Sequence, residues 1–352
     1  MWLTRCRVRN LRILAEVDFD PAPRINLVLG PNASGKTSLL EALYLLGRGR
    51  ALRRGGGDRL VREGCDRLLV TAEIIGPEKR RTPVGIERGP DGLTMRLGGR
   101  TLRSSLELSR SLPLQYIHPD LHQLVQSGPG LRRQFLDRGV FHVEPDFLET
   151  WRRGQRALRQ RNAALKAGQP LGSWNHELVR HGERLDTFRD VYLQRLRPWL
   201  RQHAGELLGR EDVDVAYRRG WPRDQGLAEA LQEGEAVDRR LGFTGRGAHR
   251  CDFSLTLGGA PIRDRVSRGQ QKLLLCALQL AQARLQRERT GNAGLLLVDD
   301  LPAELDATHR KRLLGLLEAL ETQVFITATD EALVRDAPEG AVMFHVEQGR
   351  IG

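Results

Sequence analysis

Eight residues near the start of the sequence, Gly30-Pro31-Asn32-Ala33-Ser34-Gly35-Lys36-Thr37, fit the pattern G-x-x-x-x-G-K-[ST]. Residues of these types at this spacing cradle phosphate. The two glycines let the backbone turn sharply and bring its N–H groups against phosphate oxygens, and a helix N-terminus adds positive potential at the same point. Lys36 is expected to reach the β- and γ-phosphates, and the Thr37 hydroxyl to bind Mg²⁺. A second group supplies the other half of this chemistry. Leu295-Leu296-Leu297-Val298-Asp299-Asp300 is an apolar run ending in two carboxylates, as a Walker B element requires. Asp299 can hold Mg²⁺ directly or through water, and Asp300 is placed to orient or deprotonate an attacking water. The expected ligands are therefore a nucleoside triphosphate and Mg²⁺.

Such residues work only if particular elements position them. The loop follows a short apolar run, Ile25–Leu29, and opens a good helix former, Thr37–Leu43, so strand, turn and helix stand in the order the motif needs. Short β-rich stretches between Leu60 and Leu102, separated by Gly-Pro, Pro-Asp-Gly and Gly-Gly signals, predict an antiparallel meander. From about Asp120 to Gly209 the pattern is helical, with Leu178, Leu185, Phe188, Tyr192 and Leu196 on one face. A helix over Trp151–Lys166 carries Arg152, Arg153, Arg156, Arg159 and Arg161, read as a solvated face or a nucleic-acid contact. Gly168–Gly172 breaks these two helices apart, and after Tyr217 the glycine-rich sequence places no element clearly. From Ser267 onward helices (Leu273–Arg287, Ala307–Glu321) alternate with fully apolar strands (Leu295–Val298, Val324–Thr327). Such strands suit a parallel sheet covered on both faces, shared by the two ends of the chain. The fold class is α/β. Residues 1–120 and 262–352 are expected to form the ATPase lobe, including an antiparallel β subdomain at 60–105, and residues 121–261 an inserted, mainly helical second lobe.

Composition narrows the partner. The net charge is +12 and the pI about 10.3, which favours a polyanion such as nucleic acid. Basic residues are 5 lysines against 51 arginines, a bias that GC-rich coding explains as well as function does. Cys6, Cys65, Cys251 and Cys276 lie far apart with no C-x-x-C pair, arguing against zinc or a disulfide framework and for a reduced cytosol. No apolar run approaches the ~20 residues of a membrane span, and no signal-peptide core is present. A cytoplasmic protein without membrane association is expected.

Two further segments change the class. Val266-Ser267-Arg268-Gly269-Gln270-Gln271-Lys272 resembles the S-x-G-Q signature of ATP-binding-cassette ATPases, and Glu304-Leu305-Asp306 resembles their D-loop. In that superfamily the signature binds the γ-phosphate held by another protomer. The resemblance thus implies that Ser267, Gly269 and Gln270 act in trans, in an ATP-dependent homodimer. Along its whole length the chain resembles the RecF family of bacterial replication-repair ATPases, relatives of the heads of SMC-type chromosome proteins. The specific segments are Asn10–Arg12, Gly49–Arg53, Gly128–Asp137, Gln160–Leu165 and Ser267–Gln270. Ile13, Ala33, Ala248 and Cys251 depart from the family pattern.

That resemblance implies a P-loop NTPase lobe of ABC/SMC-head type and a helical lobe without a long coiled coil. It implies a slow DNA-dependent ATPase acting in DNA repair, replication and the SOS response. ATP would drive dimerisation and clamping on gapped DNA or single/double-strand junctions, and hydrolysis would release it. RecR, and indirectly RecO and RecA, are the implied partners. Arg50, Arg53, Arg132 and Arg133 are the candidate DNA contacts; for the last two, anchoring against Asp137 or another carboxylate is the alternative. A residue within Gln115–Asp120 is expected to serve as the Q-loop. Two rival readings share the ATPase motifs: a structural SMC-like DNA-bridging head and a transporter's nucleotide-binding subunit.

Overall fold

The structure, a computed structural model, describes residues 1–52, 59–76, 78–300, 305–329 and 332–352. The chain divides by its contacts into two compact units. One comprises Met1–Leu121, Glu206–Leu208 and Lys272–Gly352, the other His122–Gly205 and Gly209–Gln271.

The first unit opens with β1 (Trp2–Leu11), β2 (Leu14–Phe19), β3 (Ile25–Leu29) and α1 (Lys36–Arg48). It continues through β4 (Leu68–Ile75), β5 (Arg81–Gly89), β6 (Gly92–Leu97), β7 (Arg100–Thr101), α2 (Ser105–Ser111) and β8 (Leu114–Ile117). The meander joins the first hairpin in one antiparallel sheet, ordered β2-β1-β4-β5-β6-β7. Alternation on β1 shows why. Leu3, Cys6 and Val8 are buried while Arg5, Arg7 and Arg9 face water. Arg7 and Arg9 lie opposite Asp18 and Glu16 in the register and pair with them. Such exposed pairs contribute only about 0–1 kcal/mol each, so the sheet is held by its apolar face.

The second unit contains α3 (Gln123–Gln126), α4 (Pro129–Val143), α5 (Phe147–Lys166), α6 (Gly172–Leu208), β9 (Val213–Arg218), α7 (Leu227–Leu241), β10 (Asp252–Leu257) and β11 (Ala260–Pro261). Leu178, Leu185, Tyr192 and Leu196 form a buried stripe along α6. The stretch after Tyr217 that the sequence leaves unplaced contains α7 and the strands β10 and β11, which join β9 in a small antiparallel sheet, β11-β10-β9. On α5, Arg152, Arg153, Arg156 and Arg159 are exposed, but Arg161 is fully buried. Its guanidinium donates to Asp238 (2.7 Å), Asn175 (2.7 Å) and the Thr244 hydroxyl (2.8 Å). Asn162 receives the Thr244 backbone N–H and hydroxyl at 2.8 and 2.7 Å. The Gln160–Leu165 segment thus ties α5 to α7 and the turn beyond it. The expectation of a solvated or DNA-facing arginine is corrected for Arg161, whose Nε and Nη1 serve this buried network.

Chain order then returns to the first unit through α8 (Arg268–Thr290), β12 (Leu295–Val298), α9 (Ala307–Ala319), β13 (Gln323–Ala328), α10 (Ala332–Arg335), β14 (Val342–Glu347) and β15 (Arg350–Ile351). The second six-stranded sheet runs β15-β14-β3-β13-β12-β8, and all its strands but β15 pair in parallel. β3, β12 and β13 are buried at every position, as a sheet covered on both faces requires. One face packs on α1: Val28, Leu295, Leu297 and Phe325 share a core cluster with Leu39, Leu40 and Leu43. The opposite face meets α8. There the Gln115 amide, assigned from its hydrogen bonds, donates to Gln279 O (3.0 Å) and accepts from Ala283 N (3.1 Å). No helix among the described residues is long and apolar enough to cross a membrane.

Arg161→Met should destabilise the second unit by about 3–5 kcal/mol, because Asp238 is then a buried charge without its partner. Denaturant unfolding measures this, and Arg161→Met combined with Asp238→Asn should recover much of the loss.

Candidate nucleotide site

β3 delivers the chain to Gly30 at the carboxyl end of the parallel sheet. Gly30 and Gly35 have φ of 156° and 120°. A Cβ on Gly30 would collide with the Val346 carbonyl oxygen of β14, so glycine is required there for space as well as conformation. Ala33 sits at φ 62°. A residue with a Cβ pays roughly 1–2 kcal/mol for this left-handed conformation, a cost glycine would avoid. The loop closes on itself and on the last hairpin: Lys36 Nζ donates to Gly30 O (2.9 Å) and Pro31 O (3.0 Å), and Gly349 N donates to Ser34 O (2.8 Å). α1 begins with no side-chain cap and no acidic residue in its first turn. The Ser34 hydroxyl is buried without a partner. An uncapped helix N-terminus, an orphaned hydroxyl and a lysine inside the ring together fit the phosphates of a nucleotide.

The acidic strand end stands beside this ring. Asp299 is 6% exposed. Its Oδ1 accepts from the Thr327 hydroxyl at 2.8 Å and lies 3.3 Å from the Thr37 hydroxyl, while Oδ2 accepts from the Tyr116 hydroxyl at 2.7 Å. The Thr327 hydroxyl also accepts from Asp300 N (2.9 Å), so its one proton is left for Asp299. Asp300 has φ 47°, which turns the chain sharply out of β12. Thr37 and Asp299 are hard oxygen donors brought side by side. Among the described residues no group of three or more His, Cys, Asp or Glu side chains could hold a metal by itself. That pairing suits Mg²⁺, which binds one or two protein oxygens together with substrate phosphates.

The tip of the β1–β2 hairpin completes the surroundings. Arg12, at φ 55°, donates to both oxygens of buried Glu41 on α1 (2.9 and 3.2 Å) and to Arg59 O (2.8 Å). Ile13 is exposed and packs over the loop, its Cδ1 3.3 Å from where a Gly35 Cβ would stand.

The structure places the other sequence-predicted residues away from this ring or leaves them outside the described segments. Ser267 and Gln270 form a reciprocal capping box at the start of α8: Gln270 N donates to Ser267 Oγ (3.3 Å) and Ser267 N to Gln270 Oε1 (3.0 Å). Ser267, Gly269 and Gln270 are all exposed. Of the D-loop, Glu304 lies outside the described residues; Asp306 caps α9 through His309 N (2.9 Å), a bond that holds its carboxyl below the usual range. Arg53 also lies outside the described residues, and Arg50 is exposed.

Arg132 serves as an anchor, the alternative the sequence also offers for it. It grips Asp252 with two bonds (2.7 and 3.0 Å) and donates to Leu124 O and Ser127 O, which occupies its fork. Arg133 donates to Cys251 O (2.9 Å). Asp137 pairs instead with buried Arg189, at 2.8 and 3.1 Å. His249 Nε2 donates to Thr244 O (3.0 Å), and burial pushes its pKa down to about 4, leaving it neutral near pH 7.

Two residues of the nucleotide site, Tyr116 and Thr327, were not singled out from the sequence. Gln115 is excluded as the metal-side residue of its stretch because it faces α8. An alternation argument run from Asp299 back along a neighbouring strand would have found Tyr116, given the strand order.

Residues 2–352 match the family described as RecF/RecN/SMC N terminal domain. The chain is 42% identical over 359 residues to the DNA replication and repair protein RecF of Pseudomonas fluorescens Pf-5, covering 100% of this chain and 98% of that protein. It is 40% identical to RecF of Pseudomonas aeruginosa LESB58, covering 100% and 97%. A solved structure of the recombination mediator protein RecF-ATPrS in the RecFOR pathway superposes with a TM-score of 0.86 at 25% identity, covering 99% and 97%. An Smc head bound to the C-winged helix domain of ScpA shares the fold at a TM-score of 0.62 and 13% identity, covering 100% and 98%.

Thr327→Val removes the hydroxyl that serves both Asp299 and Asp300 N. Thermal or denaturant unfolding should show a loss of about 1–3 kcal/mol, the cost of leaving buried polar groups unsatisfied.

Proposed function

The chain belongs to the RecF/RecN/SMC family, with RecF proteins as its full-length relatives, and on that premise we propose that it is an ATP-dependent DNA-binding protein of recombinational repair and replication-fork maintenance. The observation that carries this reading is the meeting of Thr37 and Asp299 at the mouth of a closed phosphate loop. When bound, Mg²⁺ and ATP supply the phosphoanhydride to be cleaved and the charge balance at its phosphates. Lys36 exchanges the Gly30 and Pro31 carbonyls for phosphate oxygens. Thr37 and Asp299 hold the metal. Asp300 orients the attacking water and takes up its proton. The exposed α8 N-terminus, with Ser267, Gly269 and Gln270, offers backbone donors to the γ-phosphate of a second copy. Nucleotide occupancy then controls a homodimer, and slow, DNA-stimulated hydrolysis opens it.

In this reading the dimer clamps DNA at gaps or single/double-strand junctions and works with RecR, and through it RecO and RecA, in the bacterial cytoplasm. Arg50 and Arg53, with Arg133 in part, are the proposed phosphate contacts. Contacts of that kind give strong salt dependence and little base preference. The full-length match to RecF proteins leaves the transporter-subunit reading without support. The deciding experiment measures retention on gapped against blunt duplex, with ATP and with a non-hydrolysable analogue, at two salt concentrations. ATP-dependent retention on gapped DNA supports the proposal, and nucleotide-independent binding would overturn it.

Lys36→Ala should abolish ATP-dependent dimerisation in sedimentation velocity while leaving the fold intact. Asp300→Asn should slow hydrolysis by roughly 100-fold or more and prolong the lifetime of the ATP-bound dimer on DNA, read by dissociation after dilution into competitor.

A further inference from the structure

We propose that Tyr116 is a positioning residue for Mg²⁺: its hydroxyl fixes the Asp299 carboxylate so that Oδ1 is presented beside Thr37. The inference deepens the reading of this site as a Mg²⁺–ATP site and rests on it. Three observations converge. First, the parallel register pairs Tyr116 with Leu297, two residues before Asp299. Side chains two apart share a face, so Tyr116, Leu297 and Asp299 all project toward α1. Second, the Tyr116 hydroxyl lies 2.7 Å from Oδ2, whereas Thr37 and Thr327 both lie on the Oδ1 side. The two carboxylate oxygens are thereby given different neighbours, and rotation of the carboxylate would break the Tyr116 bond. Third, the phenol is itself held. Its ring meets Tyr44 of α1 edge-on (5.9 Å, 69°) and stacks on His118 (5.4 Å, 15°).

A purely structural tyrosine would need only those ring contacts, which phenylalanine preserves. The hydroxyl adds one charge-assisted bond to a buried acceptor that faces the metal position with its other oxygen. Tyr116 therefore acts through Asp299 and touches neither nucleotide nor metal.

The test uses the full chain and a fluorescent N-methylanthraniloyl-ATP, titrated with Mg²⁺ and with EDTA. For the wild type Mg²⁺ should tighten binding. In Tyr116→Phe that gain should shrink by about tenfold, the size expected for one lost hydrogen bond to a charged group, while affinity in EDTA stays at the wild-type value. A Tyr116→Phe protein with the full Mg²⁺ gain overturns the assignment. So does a loss of equal size in Mg²⁺ and EDTA, which would mark a structural role alone. A wild type whose affinity ignores Mg²⁺ overturns the reading of the site itself, and this assignment with it.

Discussion

A carboxylate removed from water must be hydrogen-bonded or it destabilises the fold by several kcal/mol, and Asp299 meets that demand with hydroxyls from three separate elements. Thr37 comes from the start of α1, Thr327 from β13 and Tyr116 from β8. All three reach it only if the order and register of the parallel strands and the entry of α1 are correct together. A slip of β8 by one residue would turn Gln115 toward Asp299 and drive Tyr116 into α8. The uninterrupted apolar strands make that register strict, because their only buried polar side chains away from the site, such as Asn26 and Gln115, have partners of their own.

The second unit uses arginine differently from what a basic composition suggests. Arg132, Arg161 and Arg189 each spend a planar fork on a carboxylate and on backbone or hydroxyl oxygens. Lysine could not reproduce the bidentate grip of Arg132 on Asp252 or of Arg189 on Asp137. The segments Gly128–Asp137 and Gln160–Leu165 therefore carry internal fasteners. The count of arginines, rather than the net charge, overstates what the surface can offer a polyanion, since Arg132, Arg161 and Arg189 are engaged with carboxylates inside the fold.

Local chemistry was legible in the sequence. The phosphate loop, the acidic end of β12 and the alternation of helix and strand after Ser267 all follow from spacing within a few residues, and the structure has each of them. What depended on distant pairing was not legible. Tyr116 and Thr327 become partners of Asp299 only once β8, β12 and β13 are known to be neighbours. Arg132 reads equally as a DNA contact or an anchor until Asp252, far along the chain, is brought to it. α7 was missed because Gly234 and the turns around it weaken the helical signal, and burial of Leu227, Ala230 and Leu231 overrides that weakness.

The glycine that begins the phosphate loop is pressed against Val346, and Gly349 hydrogen-bonds to Ser34. Those partners leave the ribosome long after the loop does. A nascent chain displays the whole G-x-x-x-x-G-K-T segment for most of its synthesis without the strand that shapes it. The shape of the loop is thus tied to a hairpin synthesised far later than the loop itself.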